Sequence, residues 1–163
     1  MRAIRSLSAN GGTNLDAGLK NAANQFTKSA VSGISKDSRN VIALTDGAPT
    51  KSASHGNGTN GSWAINNETA NTAATLRTAA SVYTVCTYPG GSTVDVFLEK
   101  NIATPATADT KYAYNAADSS ELNAAFKAIT TSITTGISSG TVTDPMGPNI
   151  SVKEKPEAFR TED

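Results

Sequence analysis

The chain has 163 residues, 37% hydrophobic and 17% charged, with 14 Lys plus Arg against 14 Asp plus Glu and a formal net charge of zero. That length suits one domain and a piece of a second, and the composition is globular rather than disordered, though lean in apolar residues. The charge balance gives no pull toward nucleic acid or an anionic membrane, no apolar run reaches membrane-spanning length, and the basic N-terminus is not followed by the apolar core of a signal peptide.

In chain order, Ile4 and Leu7 predict a helical turn ended by Asn10-Gly11-Gly12. Leu15, Leu19, Ala22, Phe26 and Ala30 fall at helical spacing and predict a helix over 13–30, with Thr13 and Asp16 in a capping-box pattern at its start. The consecutive apolar residues Val41 to Leu44 predict a strand over 40–45 covered on both faces and stopped by Thr45-Asp46-Gly47. Residues 51–63, rich in Gly, Ser and Asn, read as a surface loop. Ala70, Ala73, Ala74, Leu76, Arg77 and Ala80 predict an alanine-rich helix, and 82–87 a second strand ended by Pro89-Gly90-Gly91. Cys86, the single cysteine, excludes an internal disulfide and reads as a buried, inert thiol in that apolar run.

Val94, Phe97, Leu98 and Ile102 mark a short helix, and 111–115 a third strand. Asp118-Ser119-Ser120-Glu121 is a second capping-box pattern, opening a helix whose stripe is Leu122, Phe126, Ile129 and Ile133. Strands alternating with helices predict an α/β fold with a parallel sheet. A boundary is expected near residue 136. Beyond it, Val142, Ile150 and Val152 have β-like surroundings, and the polar end from Lys153 to Asp163 reads as loose.

Asp46 is the sharpest chemical feature, because ligands of open α/β sheets gather beyond the carboxyl ends of the strands. Asp46-Gly47 is also ordinary turn material. Gly11-Gly12 before Thr13 allows close backbone approach and sets a hydroxyl on a loop, although a threonine there also serves as a helix cap. A hydroxyl and a carboxylate are oxygen ligands of the kind Mg²⁺ prefers. His55, the only histidine, adjoins Ser54 but lacks a nucleophile elbow, and reads as a solvated loop residue. Trp63 reads as a lid over apolar surface or as a contact residue beside the metal face. Asn57, Asn60 and Asn67 each begin an N-glycosylation pattern of the kind that arises by chance in a chain rich in Asn, Ser and Thr.

Gly11-Gly12-Thr13-Asn14-Leu15-Asp16-Ala17-Gly18-Leu19, followed by Val41-Ile42-Ala43-Leu44-Thr45-Asp46-Gly47, resembles the second and third parts of the metal-ion-dependent adhesion site of von Willebrand factor A-type (vWA) domains. The helix containing Glu121-Leu122-Asn123-Ala124-Ala125-Phe126 fits the same family. The resemblance covers roughly residues 1–136 and implies a doubly wound, Rossmann-like parallel sheet. It implies that Thr13 and Asp46 help to hold Mg²⁺, or Mn²⁺ or Ca²⁺, with Gly11, Gly12 and Gly47 supporting the loops and His55 and Trp63 in a loop that could touch a ligand. The family's first metal motif, Asp-x-Ser-x-Ser, is absent from this chain. The resemblance therefore implies a partial vWA sheet lacking its first strands, an incomplete metal site, and an unpaired edge on the Val41–Leu44 strand that invites association.

Val142-Thr143-Asp144-Pro145-Met146-Gly147 is similar to the segment after the vWA domain in tip adhesins of Gram-positive pili and related wall-anchored proteins, so residues 137–163 are expected to hold a linker and the start of an Ig-like β domain. The function so implied is divalent-cation-dependent adhesion at the cell surface or cell wall. The partners would be a host or matrix protein offering an acidic side chain and the missing N-terminal part of the same domain, with no nucleic acid and no membrane insertion. Two alternatives stand beside it: a vWA subunit of an intracellular ATP-driven assembly, and a Mg²⁺-dependent phosphoryl hydrolase with Asp46 as nucleophile. Against the hydrolase, Leu44 and Ala48 occupy the positions two before and two after Asp46, where a second acid is expected.

Overall fold

A computed structural model of the chain describes residues 11–28, 31, 33–87 and 92–135. The expected turn at Ile4 and Leu7, the Pro89-Gly90-Gly91 stop, the boundary near 136 and the β segment over 137–163 lie outside the described residues.

Helix α1 spans Leu15–Phe26. A 3₁₀ turn, Lys36–Ser38, leads into strand β1, Asn40–Thr45. Helix α2 covers Trp63–Arg77 and strand β2 Ser81–Cys86. Helix α3, Ser92–Phe97, continues into a wider π-type turn at Leu98–Ile102. Strand β3 is Ala113–Asn115, and helix α4 is Ser119–Thr135. The strands form one parallel sheet in the order β1-β2-β3, with Asn40 beside Ser81 and Thr45 beside Cys86 in the first pair. The predicted α/β class with a parallel sheet is what the chain adopts.

Helices lie on both faces. Leu15 and Leu19 of α1, Ala73 and Leu76 of α2, and Leu98 and Ile102 after α3 pack with Val82 and Cys86 of β2. On the opposite face, Ala125 and Ile129 of α4 cover Tyr83 and Val85. Cys86 is buried, as expected. Arg39 donates to the Val31 carbonyl at 3.0 Å and lies over the Phe26 ring, tying the end of α1 to the entry of β1.

β2 is the strand covered on both faces: Val82 through Cys86 are all buried. β1 departs from expectation. Val41 and Ala43 pack toward α1, but Ile42 and Leu44 are 39% and 53% exposed. The cause is position. Ile42 and Leu44 sit beside Tyr83 and Val85 in register, and α4 covers that face over β2 and β3 only. Among the described strands β1 pairs on one side alone. An apolar groove of about 260 Å³ runs there, between Leu15, Gly18, Leu19 and Ala22 of α1 and Val41 to Leu44 of β1.

α2 begins earlier than its alanine pattern. Ser62 caps it by accepting from the Ile65 N–H at 3.4 Å, and the buried stripe is Ile65, Thr69, Ala73 and Leu76. Thr69 is accommodated because its hydroxyl donates to the Ile65 carbonyl one turn back. The second capping pattern forms in part: the Glu121 N–H donates to Asp118 at 2.8 Å as expected, but the Glu121 carboxylate accepts from the Ala117 N–H at 2.7 Å, one residue before the cap, and not from Asp118.

Candidate functional site

The loops at the carboxyl end of β1 surround a cleft of about 580 Å³ lined by Gly11, Gly12, Thr13, Leu44, Thr45, Asp46 and Thr87. Thr13 and Asp46, far apart in sequence, thus meet at one cleft beyond a parallel strand, where open α/β sheets bind ligands.

Each side of the cleft is built by local bonding that leaves one oxygen donor uncommitted. On the β1 side, the Thr45 hydroxyl donates to the Gly47 carbonyl at 3.0 Å and accepts from the Gly47 N–H at 3.3 Å. This locks the turn while Asp46 stays exposed, its carboxylate without a hydrogen bond or ion pair among the described residues.

On the α1 side, the expected Thr13–Asp16 capping box does not form. Asn14 is the cap, accepting from the Ala17 N–H at 3.0 Å. The Thr13 backbone is already engaged elsewhere. Its N–H donates to the Thr50 hydroxyl at 2.9 Å, and its carbonyl accepts from the N–H groups of Thr50 and Lys51 at 2.9 and 3.1 Å. Its own hydroxyl has no partner among the described residues.

Of the supporting glycines, Gly11 has a φ of +100°, a conformation that favours glycine. Gly12 lies so close to the 50–58 loop that an added Cβ would stand 2.1 Å from the Gly58 carbonyl oxygen. Gly47 is not required as glycine: its φ is not positive and space around it is open. Thr87 was not anticipated. It follows β2 in register with the end of β1, its N–H donating to the Thr45 carbonyl at 2.8 Å, so parallel pairing carries it to the cleft wall. The signal in the sequence was the polar residue directly after an apolar strand.

His55 and Trp63 do not line this cleft. His55 belongs to a polar clamp holding the 50–58 loop onto α1 and α2. Its Nδ1 lies 3.0 Å from Glu68, which also accepts from the Ser52 hydroxyl at 2.6 Å and from the Ser54 N–H and hydroxyl at 3.2 Å each. Both serines bond the acid, and among the described residues none meets the other imidazole nitrogen, so the arrangement lacks the order of a catalytic triad. Trp63 is no lid. It is the first residue of α2 and 79% exposed.

Asp16, read from sequence as a capping residue, is fully buried at the centre of the same clamp. It accepts from Lys20 Nζ at 2.8 Å, the Ala53 N–H at 2.8 Å and the Thr72 hydroxyl at 2.5 Å. Burial pushes its carboxyl up, but the bonds from Lys20, Thr72 and Ala53 outweigh that and hold it below the ordinary aspartate value.

Glu68 is held at about 2 against an ordinary 4.5, first by the Ser52 hydroxyl, then by His55, with the two Ser54 donors adding to these and burial opposing them. A depressed carboxylate stabilises the folded state above its unfolded value, and that contribution disappears as pH falls from about 4.5 toward 2. The melting temperature of the wild type is therefore expected to fall across that window, and that of Glu68→Gln to start lower at neutral pH and fall less. Parallel pH profiles for the two proteins would remove Glu68 from the acid response.

Among the described residues, no three His, Cys, Asp or Glu side chains gather where they could hold a metal ion, and no helix is long and apolar enough to cross a membrane. The Thr13 hydroxyl and Asp46 carboxylate fit a hard divalent cation in donor chemistry but fall short of its coordination number, which leaves most positions to water or to another protein. Compared with protein-family models, curated proteins and solved structures, the chain matches none.

Proposed function

We propose that this chain is part of a vWA-type module that binds a partner protein through a divalent cation, serving adhesion at a bacterial cell surface. One observation carries the reading. Two oxygen donors with no other partner among the described residues, the Thr13 hydroxyl and the Asp46 carboxylate, line a single cleft beyond a parallel strand. Where both would otherwise be absorbed by local structure, neighbours do that work: Asn14 caps the helix and Thr45 closes the turn. Mg²⁺ bound there would present positive charge at an open surface, which suits an incoming carboxylate from a partner. Further donors would come from water and from a strand laid in the groove along β1, the place at which the family's Asp-x-Ser-x-Ser motif would enter.

Melting with Mg²⁺ against chelator, at matched ionic strength, tests this. A ligand at a hundred times its dissociation constant adds about 2.7 kcal/mol of stability. Mg²⁺ is expected to raise the melting temperature of the wild type and to leave Asp46→Ala and Thr13→Val unmoved. Equal shifts in all three proteins, or none in a folded wild type, would refute binding at this cleft.

A further inference from the structure

A second cleft, of about 260 Å³, lies between α2 and the end of α3, lined by Trp63, Asn66, Asn67, Ala70, Phe97 and Asn101. It shares no lining residue with the first. Helical spacing creates it: positions 63, 66, 67 and 70 fall on one face of α2, with Phe97 and Asn101 opposite.

Three properties specify what it would hold. Trp63 is 79% exposed, offering a broad aromatic surface that packs on little of its own chain. The polar lining is amide, from Asn66, Asn67 and Asn101, and no lining side chain carries a charge. Among the described residues the buried Asn66 Oδ1 has no hydrogen-bond partner, so this amide is not fully satisfied by the protein itself. An aromatic face beside side-chain amides, each able both to donate and to accept, matches a ring with apolar C–H faces and vicinal hydroxyls at its rim. A charged ligand would lose hydration there without gaining a counter-charge.

We infer that this cleft is a binding site for a single neutral pyranose unit, the sugar ring stacking on Trp63 and its hydroxyls bonding the amides of Asn66 and Asn67. The volume sits at or below the lower end for ligand pockets, in keeping with one ring.

Trp63 is the only tryptophan, so its fluorescence reports this site alone. The full chain would be titrated, in chelator so that metal binding plays no part, with the methyl glycosides of glucose, galactose and mannose, and with methyl glucuronide as the charged counterpart. At least one neutral glycoside is expected to give a saturable change, half-complete near roughly 1 mM for so small a ligand. Asn66→Ala should weaken it at least tenfold while keeping the fluorophore. Asn67→Ala, an exposed position with no side-chain bond among the described residues, gives the same reading should Asn66→Ala fail to fold. Methyl glucuronide should bind at least tenfold more weakly than the best neutral sugar. No saturable change with any glycoside, unchanged binding in Asn67→Ala, or equal binding of the glucuronide overturns the assignment.

Discussion

Asp16→Ala is expected to lower the melting temperature of the chain by about 10–15 °C, the largest single effect of those considered. The carboxylate is completely buried and takes three donors from three elements: Lys20 on α1, Thr72 on α2 and the Ala53 N–H in the 50–58 loop. Alanine removes the acceptor of two hydrogen bonds to a charged group, each contributing about 1.5–3 kcal/mol. Ala53 is exposed and Thr72 half-buried, so both regain water and the lower end applies. Lys20 is half-exposed and regains water, so its loss adds less. The sum is on the order of 3–4 kcal/mol, a large part of the ordinary stability of a domain. Asp16→Asn keeps acceptor capacity but loses the charge, and should cost about half as much. Thermal melts of the three proteins at neutral pH measure this. A loss under about 1 kcal/mol in Asp16→Ala would show that the clamp adds little to the fold.

Gly12→Ala comes second, and its effect reaches the cleft. The added Cβ would meet the Gly58 carbonyl oxygen at 2.1 Å and the Thr50 hydroxyl at 2.2 Å. The neighbour that must move is backbone, and Thr50 is the residue that bonds both the N–H and the carbonyl of Thr13. Separating the loops therefore costs packing and these hydrogen bonds together, about 2–4 kcal/mol. It also shifts Thr13 relative to Asp46, so any Mg²⁺-dependent stabilisation should vanish with it. Gly47→Ala is the control: nothing surrounds that position, and the change should stay within about 0.5 kcal/mol. If both variants melt alike, the contact between the two loops has no energetic weight.

Much of the architecture was legible before the structure. The strand over 40–45 is found with the limits predicted, and the α1 and α4 stripes survive as Leu15 and Leu19 and as Leu122, Ile129 and Ile133, with Ala125 rather than Phe126 completing the second. The bond from the Glu121 N–H to Asp118 forms because both partners lie within one helical turn. The pairing of Thr13 with Asp46 at one cleft was also legible, since each stands at a glycine-marked loop, Thr13 after Gly11-Gly12 and Asp46 before Gly47.

What failed was any inference that needed to know a neighbour. Val41–Leu44 and Val82–Cys86 are alike as apolar runs, yet the first lies at an edge with Ile42 and Leu44 exposed and the second is buried throughout. Edge and centre differ only in what pairs alongside. Thr13 and Asp16 have the spacing of a capping box, but the loop at 50–58 takes the Thr13 backbone and the Asp16 carboxylate, and Asn14 becomes the cap. His55 and Trp63 lie in or next to one loop by sequence, yet Glu68 draws the first into a clamp and the helix start turns the second to solvent.

The sequence by itself determined the elements and their order, because periodicity, caps and strand ends are set by interactions within a few residues along the chain. The tertiary structure decided which polar groups are spent and which are left free. Asp16 and Glu68 are consumed in holding loops, whereas the Thr13 hydroxyl and the Asp46 carboxylate line a cleft and have no partner among the described residues. Whether a polar side chain is satisfied depends on donors 37 or 56 residues away, as for Asp16 with Ala53 and Thr72, and no local pattern encodes those distances.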